Sequence, residues 1–429
     1  MNDDVEQAGS NAGSRGRFWR ALGPGLITGA SDDDPSGIGT YSQAGASYGF
    51  ALAWTMVLTY PLMVAVQIAS ARLGRSTGHG IAGNLKRHYP NWLLQGVVAL
   101  LLVANIINIG ADLGAMADAV RLLAGGPQLM WVLGFGAVTI GLEVFVSYRR
   151  YVVFLKWLTL SLFAYVATLA LVHVDWHAAA RGALVPQLAW DREYLTMIVA
   201  VLGTTISPYL FFWQASEEVE DLHANSRRHP LARHPEEGPR AIRRIRIDTL
   251  VGMGFSNVIA LAIILTTAAT LHASGITDIR TSAEAAQALR PIAGEYAAMV
   301  FALGIVGTGL LAVPVLAGSA AYALGEARGW RVGLERKPRQ AKAFYGTIAV
   351  ATAVGIGLNF TAIDPVRALI WAAVINGIVA APVLFVTMLM TARRDIMGQW
   401  TLGPLPRAIG WITTALLAAS VVAMAVSSG

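Results

Sequence analysis

From residue 22 to residue 427 the chain is a succession of apolar runs divided by short polar breaks. A helix needs roughly 17–25 mostly apolar residues to cross a bilayer. Eleven runs meet that requirement, near 22–47, 50–71, 93–122, 129–147, 153–173, 195–219, 248–271, 295–322, 343–359, 365–390 and 405–427. The fold class is therefore an all-α membrane protein, since lipid leaves no water to satisfy open backbone groups. Composition agrees: 55% of residues are apolar and 14% charged, where a soluble domain carries about a quarter charged. Cysteine is absent, which excludes disulfides, thiolate metal sites and cysteine nucleophiles. Residues 1–20 are polar and read as a disordered cytoplasmic tail without a signal peptide, and 21–429 as a single transmembrane domain.

The net charge of +6 takes its meaning from where the charges lie. With the N-terminus cytoplasmic, 26 of the 32 Lys and Arg fall on inside loops or the N-terminal tail. Arg121, Arg181, Arg192, Arg280, Arg290 and Arg367 are the exceptions. This follows the positive-inside rule and places the C-terminus outside, in a plasma (inner) membrane. No nucleic acid and no obligate protein partner is expected; the bilayer is the partner. The basic loop "SRRHPLARHPEEGPRAIRRIRID" reads as a cytoplasmic segment touching anionic lipid.

Two of the spans are interrupted. "GLITGASDDDPSGIGTYSQAG" sets Asp32, Asp33 and Asp34 before Pro35 in the first span. One ionised side chain at mid-bilayer costs about 2.5–3.5 kcal/mol on insertion scales, so three persist only beside water, cation or protein. Pro35 removes a backbone donor, and Gly37 and Gly39 remove bulk, so the helix is predicted to unwind there. Unwound backbone at this depth must line a cavity, and acids with freed carbonyls suit a cation. In the sixth span, "VLGTTISPYLFFWQASEEVED" repeats the device at Pro208. Paired breaks five spans apart are the pointer to an inverted-repeat transporter. The repeats would cover about 21–175 and 190–392, with an extra helix near 404–428.

The stretch "GPGLITGASDDDPSGIGTYSQAGASYGFALAW" resembles the first span of the Nramp family of divalent-metal transporters, which reads Gly-Pro-Gly, Asp-Pro-Gly-Asn, Gln-Ala-Gly. "LGTTISPYLFFWQ" is similar to its sixth span, and "GADLGAM" and "DPVRALI" match its third and tenth. The resemblance implies a LeuT-type fold with two inverted five-helix repeats, discontinuous helices 1 and 6, and an eleventh helix. It implies a transporter and not an enzyme, with the cation as cargo and no cofactor. The family's metal-binding aspartate falls on Asp34, its asparagine on Gly37 and its methionine on Ser207. The histidine after the second proline is Tyr209, a later sixth-span histidine is Gln214, and a third-span aspartate is kept as Asp112 while the next acid is Ala115. The tenth-span glutamine is Ala373, with Asn376 nearby as a substitute.

These departures remove the soft thioether and leave oxygen alone: Asp34, the carbonyls of Thr204 and Gly37, the Ser207 hydroxyl, and Asp33 or Gln214 as further donors. A wide acidic site suits partly hydrated Mg²⁺, and also Mn²⁺, in the manner of the Nramp-related magnesium branch. Tyr209, Gln214 and Ala115 cannot relay protons near neutral pH, so import is expected to be weakly proton-coupled or uncoupled. Asn108 and Asn105 share one third-span face and read equally as pathway lining or interhelical glue. Asp32 and Asp33 read as vestibule acids or ligands, and Glu217 and Glu218 as a solvated exit or a cytoplasmic helix end. Two alternatives stay open: a proton-coupled Mn²⁺/Fe²⁺ transporter of broad range, and an organic-solute transporter of the same fold.

Overall fold

A computed structural model describes residues 28–29, 31–145, 160–224, 228–361 and 364–427. The N-terminal tail, Arg149, Arg150 and Lys156 lie outside the described residues. Eleven principal helices are named here in chain order. They are α1 Pro35–Tyr48, α2 Trp54–Thr77, α3 Asn91–Ala124, α4 Gln128–Phe145, α5 Arg192–Thr205, α6 Pro208–Ala224, α7 Gly238–Thr270, α8 Ala297–Arg328, α9 Lys342–Leu358, α10 Pro365–Ala392 and α11 Pro404–Val426. Shorter helices, Ile81–His88 and Trp176–Leu184 among them, fill the connections. Among the described residues there is no strand.

Among the described residues, eight segments are long and apolar enough to cross a membrane, with α5 and α6 together forming one of them. The other expected spans differ for identifiable reasons. The first is broken, so only the 14 residues of α1 follow the interruption. The fifth begins outside the described residues and continues as Leu160–Leu162 and Phe163–Leu169. The ninth is the 17-residue α9. The seventh starts ten residues earlier than its apolar run, at Gly238, because the basic loop winds into the first turns of α7.

The prolines sort by position. Pro61, Pro314 and Pro382 sit inside α2, α8 and α10, and each helix continues through them. Pro35 and Pro208 instead open α1 and α6. A proline at the first turn of a helix forfeits no helical hydrogen bond, whereas the turn before it is starved of a donor. The broken helices pack at the centre: α1 lies against α5, α7 and α10, and α6 against α2 and α8. Contact between α5 and α10 is backbone to backbone. A Cβ on Gly203 would stand 2.1 Å from the Ala373 carbonyl and 2.3 Å from the Gly377 nitrogen.

Candidate functional site

The first break is built by Asp34. Its extended backbone (φ −70°, ψ 169°) makes it the N-cap of α1, the position whose side chain satisfies amides left open by the first turn. Oδ1 accepts the Gly37 amide at 2.7 Å and the Ser36 hydroxyl at 2.8 Å. Oδ2 accepts Asn108 Nδ2 of α3 at 3.1 Å and the Tyr209 hydroxyl of α6 at 3.4 Å. The carboxylate is 1% exposed, so it is held at the protein centre by donors from three helices.

The second break lies between Thr205 and Pro208. Pro208 lacks the N–H that would bond the Thr204 carbonyl four residues back. The Ser207 hydroxyl stands in, pointing at the Gly203 carbonyl at 2.7 Å and the Thr204 carbonyl at 2.9 Å. The two breaks touch. A Cβ on Gly37 would lie 3.2 Å from Thr204 Oγ1, and Tyr209 donates to the Ser31 carbonyl at 3.0 Å as well as facing Asp34. Asp34, Gly37, Asn108 and Tyr209 are thus joined directly, Thr204 lies beside Gly37, and Ser207 is tied to the Gly203 and Thr204 carbonyls of the second break. Gly37 enters that arrangement through its amide; its carbonyl, in the first turn of α1, runs along the helix away from the break.

The remaining residues fall at different distances from this centre. Asp112 of α3 is buried, with its carboxyl beside the Ser36 amide and Asp34; among the described residues no arginine pairs with it. Asn376 of α10 is buried, and its amide has no hydrogen-bond partner. Gln214 is tied to Thr28 at 2.5 Å, one turn and more beyond Tyr209, and does not touch Asp34. Asp33 turns toward α7, where Ser256 Oγ lies 3.0 Å from its Oδ1 and 2.5 Å from Asp32 Oδ2. Both acids are buried, so neither lines an open vestibule. Asn105 is interhelical glue, donating to the Leu316 carbonyl at 2.8 Å and to Ser319 Oγ at 2.7 Å on α8.

Glu218 departs from the reading as a solvated exit. Its side chain is fully buried and ion-paired with Arg244 of α7. Ser256 was not legible beforehand: a lone serine in an apolar span carries no signal until α7 packs on the break. Among the described residues no three acidic or histidine side chains converge to hold a metal. A cation at the breaks would be met by one principal carboxylate, hydroxyls, an amide and carbonyls, a hard donor set.

A helical membrane protein whose first and sixth spans break against each other around a buried carboxylate has the LeuT-type inverted-repeat architecture. Fold similarity agrees. The structure of MhsT with L-phenylalanine superposes with a TM-score of 0.61 at 12% identity, covering 94% of this chain and 98% of that one. Mhp1, a nucleobase-cation-symport-1 family transporter, gives 0.56 at 15% identity, covering 95% and 93%. Within this architecture, the family model for natural resistance-associated macrophage protein-like (Nramp) proteins matches residues 25–427. The chain belongs to the Nramp family. It is 26% identical over 390 residues to the divalent metal cation transporter MntH of Burkholderia ambifaria, covering 89% of this chain and 82% of that protein. It is 27% identical over 429 residues to the MntH of Klebsiella pneumoniae, covering 96% and 95%. A manganese transporter of Eremococcus coleocola superposes with a TM-score of 0.73 at 17% identity, covering 96% and 87%.

Proposed function

We propose that this protein carries divalent metal cations across the membrane by alternating access, with Mg²⁺, Mn²⁺ or both as cargo. The relatives named as divalent metal transporters support the broad class. The observation that carries the finer reading is the donor set: Asp34 caps one broken helix against another whose break holds Ser207 and not a thioether. Hydroxyl and carboxylate oxygens favour hard cations, and Mg²⁺ keeps several waters in such sites. Asp34, Thr204 and Ser207 act as the principal ligands in this reading, Gly37 makes room beside Thr204, and Asp112, Asn108, Tyr209 and the open amide of Asn376 form the surround. Asp33 and Gln214 stay outside the first contacts of the ion.

Coupling to protons is weak or absent in this reading, because the tyrosine, glutamine and alanine at 209, 214 and 115 offer no relay near neutral pH. The membrane potential suffices as a driving force. A divalent ion moving inward through 100 mV gains about 4.6 kcal/mol, on the order of a thousandfold accumulation. We place the N-terminus in the cytoplasm, the C-terminus outside, and the two repeats on either side of the loop before α5. The test is uptake into proteoliposomes with competition among Mg²⁺, Mn²⁺, Ca²⁺ and Cd²⁺, run with a pH-sensitive dye inside. Mg²⁺ and Mn²⁺ should compete without acidifying the lumen. Dominant Cd²⁺, or acidification that tracks metal entry, would overturn the hard-site or the uncoupled reading respectively.

A further inference from the structure

Helices α3, α9 and α10 leave a groove between them. α3 and α9 cross on glycines: a Cβ on Gly110 would stand 2.8 Å from the Gly355 carbonyl oxygen, and one on Gly114 would stand 2.5 Å from Asn359 Oδ1. Beyond this crossing α9 ends at Leu358 and α10 starts at Pro365, and the three helices no longer fill the space they enclose. The gap measures about 340 Å³ and is walled by Gly110, Gly114, Leu358, Ala368, Trp371 and Ile375. Leu358 is 39% and Trp371 55% exposed, so the groove opens on the surface that lipid covers. An apolar cavity of about 150 Å³ already takes a benzene ring, and small-molecule sites begin near 300 Å³.

Depth and charge select the occupant. From Pro365 to Ile375 the α10 wall rises about 15 Å at 1.5 Å per residue. That is half of a hydrocarbon core of roughly 30 Å, the depth of one leaflet. Asn359, a polar residue in the wall, spends its amide on the Gly110 and Gly355 carbonyls, so the lining stays apolar. Arg367, Trp371 and Ile375 follow one face of α10 at successive turns. An exposed cation therefore stands one turn above the tryptophan of the groove, which itself sits where indole rings mark the membrane interface. Among the described residues no acid pairs with Arg367. Asp364 caps α10, accepting the Val366 amide at 2.9 Å and the Arg367 amide at 3.3 Å. Asp118, one turn beyond Gly114 on α3, is paired with Arg121 at 2.7 Å.

We infer that this groove holds one acyl chain of an anionic phospholipid, whose phosphate meets the Arg367 guanidinium at headgroup depth. Guanidinium forks match phosphate oxygens in geometry as well as charge. An arginine at a charged membrane surface contributes about fivefold in affinity, the equivalent of about 1 kcal/mol. Each methylene held out of solvent adds about 0.8 kcal/mol, so displacing two of them costs about tenfold.

The test uses the full chain in nanodiscs of mixed phosphatidylglycerol and phosphatidylcholine with the same acyl chains, extracted into detergent for native mass spectrometry. The wild type should keep one phospholipid after the annular lipid is stripped, with phosphatidylglycerol favoured. Ala368→Phe fills the groove from a half-buried position and should lower retention of both lipids by about tenfold. Ile375→Phe, deeper along the same wall, should do the same and serves should Ala368→Phe fail to fold. Arg367→Gln should leave a lipid bound but reduce the preference for phosphatidylglycerol about fivefold. A wild type stripped of all lipid, full retention in a folded groove-filling variant, or an unchanged headgroup preference in Arg367→Gln would overturn the inference.

Discussion

Asp34→Asn separates the charge of the central carboxylate from its role as a helix cap. In the wild type four donors meet this side chain: the Gly37 amide, the Ser36 hydroxyl, Asn108 Nδ2 and the Tyr209 hydroxyl. An asparagine oxygen can keep the first two. Its NH₂ would then face Asn108, whose own Oδ1 is buried without a partner. Turning the Asn108 amide over restores a donor–acceptor pair, so the fold should lose no more than about 1 kcal/mol. Asp34→Ala differs, since it removes the cap and strands the Asn108 donor. The cap is worth about 0.5–2 kcal/mol and a stranded buried donor about 1–3 kcal/mol, which together give a loss of about 1.5–5 kcal/mol.

The charge itself acts on the cation. Two unit charges about 4 Å apart attract by about 4 kcal/mol at an effective dielectric near 20, and a divalent ion doubles this. If three quarters of that attraction offsets dehydration, about 2 kcal/mol remains, or roughly thirtyfold in Kd. The assays are isothermal titration with Mn²⁺ and Mg²⁺ and proteoliposome flux, with thermal unfolding as the control. Asp34→Asn should unfold near the wild-type temperature while binding at least about thirtyfold more weakly and transporting little. Wild-type affinity in a folded Asp34→Asn protein would refute the placement of the ion at this carboxylate.

Three further outcomes follow from the same geometry. Ser207→Met releases the Gly203 and Thr204 carbonyls and adds a soft sulfur; in competition flux, Cd²⁺ should gain on Mg²⁺ by about tenfold or more. Gly203→Ala drives a methyl group into the Ala373 carbonyl and the Gly377 nitrogen of α10. Because both are backbone atoms, we expect a lower unfolding temperature, a cost of about 1–3 kcal/mol, and lost transport. His79, in the connection after α2, is pushed down to about 4 by burial first and then by Arg87 and other nearby cations. Its folded value lies below the ordinary 6.5, so the unfolded chain binds the extra proton between those limits. Its contribution is full above pH 6.5 and lost as pH falls toward 4. The ring is only half-buried, so solvent screening holds this to about 1 kcal/mol. His79→Gln should flatten the fall in unfolding temperature between pH 7 and pH 4.5.

Helix class and both interruptions were legible along the chain because their causes are local. An apolar run of bilayer length must be helical in lipid, and a proline starves the turn before it whatever packs around it. Pro35 and Pro208 could be told from Pro314 and Pro382 by the acids near them. Asp34 could be singled out for the same reason. What the chain alone left open was every pairing between residues far apart. Asn105 and Asn108 stand on one face of α3, yet one holds α8 and the other reaches Asp34. The fate of Asp32 and Asp33 was decided by Ser256, more than two hundred residues away. Glu218 was closed off by Arg244 on another helix. Local propensity and hydropathy act over a few residues, whereas partners for a buried polar group are chosen by how helices pack, and that choice exists only once the bundle has formed.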